Sequence, residues 1–374
     1  MRIGIDARMY STNFTGIGRY VYELTQRLFA LDQENEYILF FNNPEFAKFT
    51  PPNARVRKVL VNARHYSWQE QWHFCRMLKK EKLDIMHFTH FNAPLLYRHP
   101  SIVTIHDLTL SFYPGKKMTK WFHRMAYHAV FENIVRKARA IIAVSKNTAK
   151  DLSTLFPFTK EKTHVLYEGV GAEFLQNYPE ADLEKYRTKA GVTGDYILYT
   201  GVWRSHKNLT GLIRAFAILL KKGNFKGSLV VTGREDPLYP EVKEKIHTEG
   251  LEKKVICTGL VDEKTLIALY RGAKVYVMPS FYEGFGLPIL EAFASGCPVA
   301  AAHASSLPEV CGHDGALFFD PRNPSDMADT IEKILSHPEQ QQKLIDAGRK
   351  RMKDFSWDEM AEETLNLYKK ICHH

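Results

Sequence analysis

Residues 274–302, KVYVMPSFYEGFGLPILEAFASGCPVAAA, decide the fold. KVYVMP is an unbroken apolar run of strand length, the pattern of a strand buried on both faces. The chain leaves it through PSFYEGFG. LPILEAFASG then has helical spacing, with Pro288 suited to a first helical turn, where its missing N–H costs nothing. PVAAA is a second buried strand. Strand, helix and strand in so short a span imply two parallel strands joined by a crossover helix.

The same alternation extends in both directions. Upstream, RIGIDA, YILFF, ARVRKVLV, DIMHF, SIVTIH and AIIAV read as strands, with helical patterns at 16–31, 121–137 and 147–156. After a looser stretch at 168–195 the series restarts with YILYTG, SLVVTG and KVICTG. Helices are expected at 209–221, 242–250, 263–272 and 287–296, and at 326–336, 338–353 and 357–371. Two such series predict an α/β protein of two doubly wound, Rossmann-like domains. The length of 374 residues fits two domains. The expected bounds are 1–170 and 171–356.

Composition narrows the function classes. The chain is 45% hydrophobic and 25% charged, ordinary for a globular protein, and no apolar run reaches the ~18 residues of a membrane span. The opening MRIGIDARMY reads as a strand, not a leader. Cys75, Cys257, Cys297, Cys311 and Cys372 are odd in number, scattered and free of CxxC pairs. That argues for a cytoplasmic chain with reduced thiols, and against a zinc site or disulfide framework. No HExxH occurs among the sixteen histidines, and no metal constellation is expected. The net charge of +9 is uneven: residues 1–165 carry +12 and residues 166–374 carry −3. A basic N-terminal half suits an acidic partner such as a lipid pyrophosphate, an anionic membrane surface or nucleic acid, or is a solvated surface. Phe112, Trp121 and Phe122 beside Lys116, Lys117 and Lys120 suit an interfacial lipid contact. No nucleic-acid-binding motif is present.

In open α/β sheets ligands bind beyond the carboxyl ends of the strands, so the residues just after each strand are the ones to read. After KVYVMP, Glu283 lies in the loop and Glu291 on the helix. Gly284 and Gly286 let backbone N–H groups approach a ligand, at a helix N-terminus suited to an anion. Glu291 can take two hydroxyls, as a ribose presents, and Glu283 the hydroxyls of a second polar group. A diol, an anion and a further diol is the layout of a nucleotide sugar. Two glutamates alone would also fit a capped helix with solvated carboxylates; the whole string is more specific.

This string resembles the E-x7-E signature of the family 4 retaining glycosyltransferases. TGIGRYVYEL, SIVTIHDLTLSFYP, AIIAVSKNTAKDL, YILYTGVWRSHKNL and FSWDEMAEETLNLYKKI match family-like positions in order. The flavour is that of a bacterial mannosyltransferase-like branch. The resemblance implies a GT-B fold: an acceptor-binding N-terminal domain and a donor-binding C-terminal domain facing a cleft, with a final helix at about 357–374 crossing back to the first domain. It implies Glu291 on the donor ribose. Glu283, with the backbone of Gly284, Phe285, Gly286 and Leu287, would hold the donor sugar, and Lys207 the pyrophosphate. A fixed ammonium there would stabilise the charge that builds on the leaving group. Many relatives have arginine beside that lysine; here His206 stands there, and Arg204 is the substitute considered. His106 would lie beside the donor sugar. Gly16 and Gly18 would border the donor phosphates and the acceptor. The turns at Gly233 and Arg234 and around Val261 would border the base. His87 and His90, in HFTHFNAP, are acceptor-side candidates.

The reaction so implied is metal-independent transfer of a sugar, mannose from GDP-mannose or a sugar from a UDP-sugar, with no further cofactor. The acceptor would be a glycan or lipid-linked saccharide, at the cytoplasmic face of the inner membrane. Two rivals rank lower. A NAD-dependent oxidoreductase wants G-x-G-x-x-G after the first strand, and GIGRYVYE lacks the third glycine. A non-catalytic binding protein predicts no nucleotide-sugar affinity and steeply salt-dependent binding.

Overall fold

The computed structural model describes residues 1–11, 16–63, 70–116 and 121–372, without the side chains of residues 122 and 123. The chain divides into two compact units. The first comprises Met1–Phe112, Met118–Glu168 and Ser356–His374, and the second Tyr113–Lys117 and Gly169–Phe355.

Unit 1 is built on seven strands: β1 (Arg2–Asp6), β2 (Glu36–Phe41), β3 (Val56–Leu60), β4 (Ile85–Phe88), β5 (Ser101–Ile105), β6 (Ala140–Ala143) and β7 (Thr163–Val165). Their order is β3-β2-β1-β4-β5-β6-β7, every pair parallel. Order reverses between β1 and β4. The central strands are buried along their length because helices cover both faces, which is why they read as unbroken apolar runs. The helix Gly16–Leu31 turns Tyr20, Val21, Leu24 and Leu28 inward, one stripe at helical spacing.

Unit 2 has six strands: β8 (Tyr196–Thr200), β9 (Ser228–Thr232), β10 (Val255–Gly259), β11 (Val275–Met278), β12 (Val299–Ala302) and β13 (Ala316–Phe319). Their order is β10-β9-β8-β11-β12-β13, again parallel throughout. Here the reversal falls between β8 and β11.

The helix Trp357–Cys372 packs within unit 1. Arg27 Nε reaches Asp358 Oδ1 at 2.7 Å, and the Tyr368 hydroxyl lies 2.6 Å from His87 Nδ1. The last helix thus crosses back as the resemblance implies.

Several features go beyond the sequence expectations. The helix Glu180–Lys189 lies in the stretch read as loose; it buries only Leu183, so it carries no apolar stripe to read. β7 and β13 are short edge strands, β7 half-buried throughout, and an edge strand need not show a two-sided apolar run. Tyr113–Lys117 groups with unit 2 although the chain on either side belongs to unit 1. Of the basic and aromatic run expected to meet lipid, Lys116 pairs with Glu241 at 2.8 Å, and Lys117, Lys120 and the side chain of Phe122 lie outside the described residues.

Candidate active site

The reversal between β8 and β11 gathers the charged candidates of unit 2. β8 ends at Thr200, and the chain passes through Gly201–Arg204 into a single 3-10 turn, Ser205–Lys207. Asn208 follows in the left-handed conformation, φ +53°, which asparagine tolerates better than most residues. Its side chain does not cap the next helix. Instead Nδ2 donates to the carbonyls of Pro279 (3.1 Å) and Pro321 (2.8 Å), tying the loop after β8 to the loop after β11. Gly211 makes room for it, since a Cβ there would lie 2.4 Å from Asn208 Oδ1. The His206 carbonyl adds a second tie by accepting the Phe281 N–H at 2.8 Å.

These ties fix Lys207 against Glu283. Lys207 Nζ is 2.7 Å from each carboxylate oxygen of Glu283, with the side chains 22% and 10% exposed. A carboxylate this buried needs a partner, and the bidentate ammonium supplies it. The loop itself is held from behind. Ser305 Oγ donates to the Glu283 carbonyl at 2.6 Å, and Ser306 Oγ lies 3.0 and 2.7 Å from the carbonyls of Glu283 and Phe285. The Phe285 ring turns away to pack edge-on against Phe355, so only its backbone is left for a ligand. Gly286, at φ +114°, opens the helix Leu287–Ala294 with no side-chain cap. The positive end of that helix therefore lies beside Glu283.

Glu291 sits on the same helix and accepts a hydrogen bond of 2.9 Å from the Tyr270 hydroxyl. Tyr270 is fully buried; its Oη is 3.0 Å from Thr200 Oγ1, which is 3.2 Å from the Tyr276 hydroxyl. Burial, and after it the Glu291 carboxylate, push the Tyr270 phenol well above its usual range, so it stays a donor. Tyr199 Oη, Trp203 Nε1 and Ser280 Oγ are also buried at this end of the sheet, with no protein partner. Such groups mark a polar site to be completed by water or ligand.

The other unit 2 candidates line neighbouring strand ends. Gly233 closes β9 at φ +126°, where a Cβ would meet the Gly201 carbonyl at 2.2 Å, so glycine is obligatory there. Arg234 is exposed and its carbonyl accepts the Trp203 N–H. Val261 is half-buried beyond β10, just before Asp262 caps the helix Glu263–Gly272. Arg204 is exposed, and its carbonyl accepts the Lys207 N–H at 3.0 Å.

His106, Gly16 and Gly18 lie in unit 1, at the carboxyl ends of β5 and β1. His106 Nε2 is 2.9 Å from the Thr89 carbonyl, and Nδ1 3.3 Å from Glu168 Oε1. Its ring stands edge-on to Tyr20 with centroids 4.8 Å apart. Gly18 is needed for a close approach, because a Cβ would lie 3.0 Å from Ser11 Cβ; Gly16 is exposed and unconstrained. Residues 12–15, between β1 and this helix, lie outside the described residues.

His87 corrects an expectation. It is fully buried on β4, bonded through both ring nitrogens to Tyr368 and Thr104, and so cannot touch an acceptor. Burial, and then the nearby His106, push its pKa down to about 3, so it is neutral at physiological pH. At the β1/β4 reversal itself stands Arg8. It bonds Asp6 through Nε (2.8 Å) and Nη2 (2.7 Å) and Glu70 through Nη1 (2.5 Å), and stacks 4.2 Å from the Phe74 ring centroid.

Asn208, Tyr270, Ser305 and Ser306 were not found from sequence. Only Asn208 left a signal, an asparagine just before a helix with a glycine three residues on.

Two parallel sheets of this order, with charged residues at both strand-order reversals, define a Rossmann-type protein of the GT-B class. Residues 14–174 match Glycosyltransferase Family 4, and residues 182–351 match Glycosyl transferases group 1. The chain is 30% identical to an uncharacterized glycosyltransferase of Methanocaldococcus jannaschii, over 88% of this chain and 87% of that protein. It is 27% identical to the O-antigen chain mannosyltransferase B of Escherichia coli, over 95% and 96%. Among solved structures it is similar to the sucrose-phosphate synthase of Thermosynechococcus elongatus, with TM-score 0.80 and 20% identity, covering 99% of this chain and 98% of that one. The chain belongs to the family 4 glycosyltransferases.

Proposed function

We propose that the chain is a retaining glycosyltransferase that transfers mannose from GDP-mannose to a glycan or lipid-linked saccharide acceptor, in the synthesis of surface polysaccharide or glycolipid. The observation that carries the reading is the Lys207–Glu283 pair at the β8/β11 reversal, with Glu291 held by Tyr270 about one turn into the helix Leu287–Ala294 that follows. A nucleotide sugar satisfies both carboxylates with hydroxyls and gives the ammonium a diphosphate. The mannosyl donor is favoured by the likeness to the O-antigen chain mannosyltransferase B of Escherichia coli.

Chemically, the donor's anomeric carbon loses its phosphate on the face from which the acceptor hydroxyl enters. The C–O bond to phosphate breaks through an oxocarbenium-like state, and the leaving phosphate oxygen takes the acceptor's proton. Lys207 meets the charge that grows on that phosphate, and the helix beginning at Leu287 adds its positive end. Glu283 accepts from hydroxyls of the sugar, and its negative charge favours a cationic ring. No step calls on a metal ion.

A thermal-shift panel of GDP, UDP, ADP, NAD and their sugar conjugates, on wild type and Glu291→Ala, tests the donor. A rise with GDP-mannose that the variant loses is the expected result. A rise with UDP-sugars alone replaces the donor, and a rise with NAD alone overturns the reading. Nuclear magnetic resonance of the product reads the anomeric configuration, and transfer undiminished by a chelator is expected.

A further inference from the structure

Glu168 is a buried carboxylate that the transfer chemistry leaves unused. It is the last residue before the chain passes into unit 2, three past the edge strand β7, and only 3% of it is exposed. A carboxylate at that depth needs a cation or a set of donors. Among the described residues its one hydrogen-bond partner is His106, through Nδ1 at 3.3 Å. The other ring nitrogen, Nε2, lies 2.9 Å from the Thr89 carbonyl. Thr89 is itself pinned, its Oγ1 donating to the Asp6 carbonyl at 2.6 Å. The imidazole thus stands between two acceptors, a carbonyl and a carboxylate, whereas a neutral imidazole has one N–H to give.

A carbonyl never donates, so Nε2 carries a proton. A bare Nδ1 would then turn its lone pair to the Glu168 carboxylate and leave that charge buried without a donor. One further proton removes the conflict, and it can rest on the ring or on the carboxyl. Imidazole is the stronger base by about two pH units, so the ring keeps it and the pair is an imidazolium beside a carboxylate. The titratable groups set against the ring do not compete for that charge. His90 stacks on it with centroids 6.5 Å apart, and its Nδ1 accepts the Asn92 N–H at 3.3 Å, as a neutral ring does. Tyr20, edge-on from the helix Gly16–Leu31, has its hydroxyl 3.0 Å from Thr104 Oγ1, and burial holds its phenol protonated. Asp107 accepts the Thr109 N–H at 2.7 Å. His87 on β4 is kept neutral by burial first and by His106 second.

We propose that Glu168 is a positioning residue for sugar transfer, one that holds a proton on both nitrogens of His106 and so fixes the ring as an imidazolium. The proposal rests on the preceding reading, because the family resemblance sets His106 beside the donor sugar. A fixed cation there adds to the field in which the donor phosphate departs. Glu168 touches no substrate; it acts through the ring, in the way a buried carboxylate orients a histidine and stabilises its charged form. Nothing in the sequence marks it, since 62 residues separate the two partners.

Nitrogen NMR of the full chain, isotope-labelled at histidine, reads the ring directly and needs no donor; His106→Gln identifies the signal. At about pH 7.5 wild-type His106 is expected to show two protonated nitrogens, where a histidine of ordinary basicity is about one-tenth charged. Glu168→Gln offers Nδ1 an amide donor in the same place and should leave a neutral ring with hydrogen on Nε2 alone. Its kcat should then fall about tenfold below wild type at that pH, with donor KM moving less than about twofold, and the ratio should climb back toward one by about pH 5.5 as the ring recharges. Glu168→Asp keeps the negative charge and should regain most of kcat. A neutral His106 in the wild type overturns the proposal, and that spectrum decides the proton count even where Glu168→Gln does not fold. An imidazolium that survives in Glu168→Gln overturns it too, as does a kcat that is unchanged or lowered equally at every pH, the mark of a merely structural residue. An error in the donor reading would appear as absent transfer by wild type with the spectrum as expected, and an error in the proton count as the reverse.

Discussion

At the point where strand order reverses, unit 1 buries Arg8 against Asp6 and Glu70, with neither the guanidinium nor the Glu70 carboxylate reaching solvent. At the same point unit 2 leaves Lys207 about a fifth exposed against Glu283. Arg8 has every nitrogen engaged by protein, including the Asn92 carbonyl. Lys207 has the Glu283 carboxylate. The same topology thus places charge in two ways. A fully satisfied buried cluster fixes loops, whereas a half-open pair can trade its partners for those of a ligand.

Breaking the closed cluster has the largest expected effect. Arg8→Met leaves Asp6 and Glu70 buried without their cation and should destabilise unit 1 by about 3–5 kcal/mol, read by urea unfolding. A loss below ~1 kcal/mol would put Arg8 in the same class as Lys207 and erase the contrast. Lys207→Ala should act on turnover, lowering kcat about 10²–10³-fold while the melting temperature moves little by comparison. Unfolding without a specific loss of kcat would show that the open pair is structural as well.

The polar groups of unit 1 sharpen the contrast from the other side. His87 is held neutral in the fold and gains a proton near pH 6.5 when unfolded. Between about pH 6.5 and pH 3 the unfolded chain therefore binds more protons, so stability falls as pH falls through that window, by about 2 kcal/mol at pH 5. His87→Gln should flatten this slope in unfolding titrations and leave donor binding untouched. Smallest is Glu291→Ala. It should weaken donor binding about tenfold, measured calorimetrically, with the fold intact because Tyr270 keeps Thr200 as a partner. Unchanged donor affinity would remove Glu291 from the site.

Sequence alone went far where periodicity or strand ends carried the information. The span 274–302 declared a buried strand, a helix and a buried strand. The helices Trp121–Lys137 and Glu263–Gly272 have the bounds their apolar spacing predicted. Glu283 was marked by its place after a strand and Lys207 by the family resemblance, and the fold brings the two, 76 residues apart, together. What stayed hidden is what only tertiary placement decides. Ser305 and Ser306 matter because they hydrogen-bond the backbone of a loop more than twenty residues away. Tyr270 looked like one apolar helix residue among several until its hydroxyl met Glu291. Arg8 and Glu70 are too far apart in sequence to suggest each other. His87 was misread because a histidine on a strand looks alike whether it faces a site or the interior.

The position of the helix Trp357–Cys372 has a consequence for synthesis. Residues 169–355 form a continuous segment whose strands can pair as soon as they emerge. Unit 1 leaves the ribosome first, but the hydroxyl that bonds His87 arrives 281 residues later. Its helix Gly16–Leu31 therefore waits for its covering partner until the second unit is complete. Domains usually close in the order of translation; here the first domain begun is the last one finished.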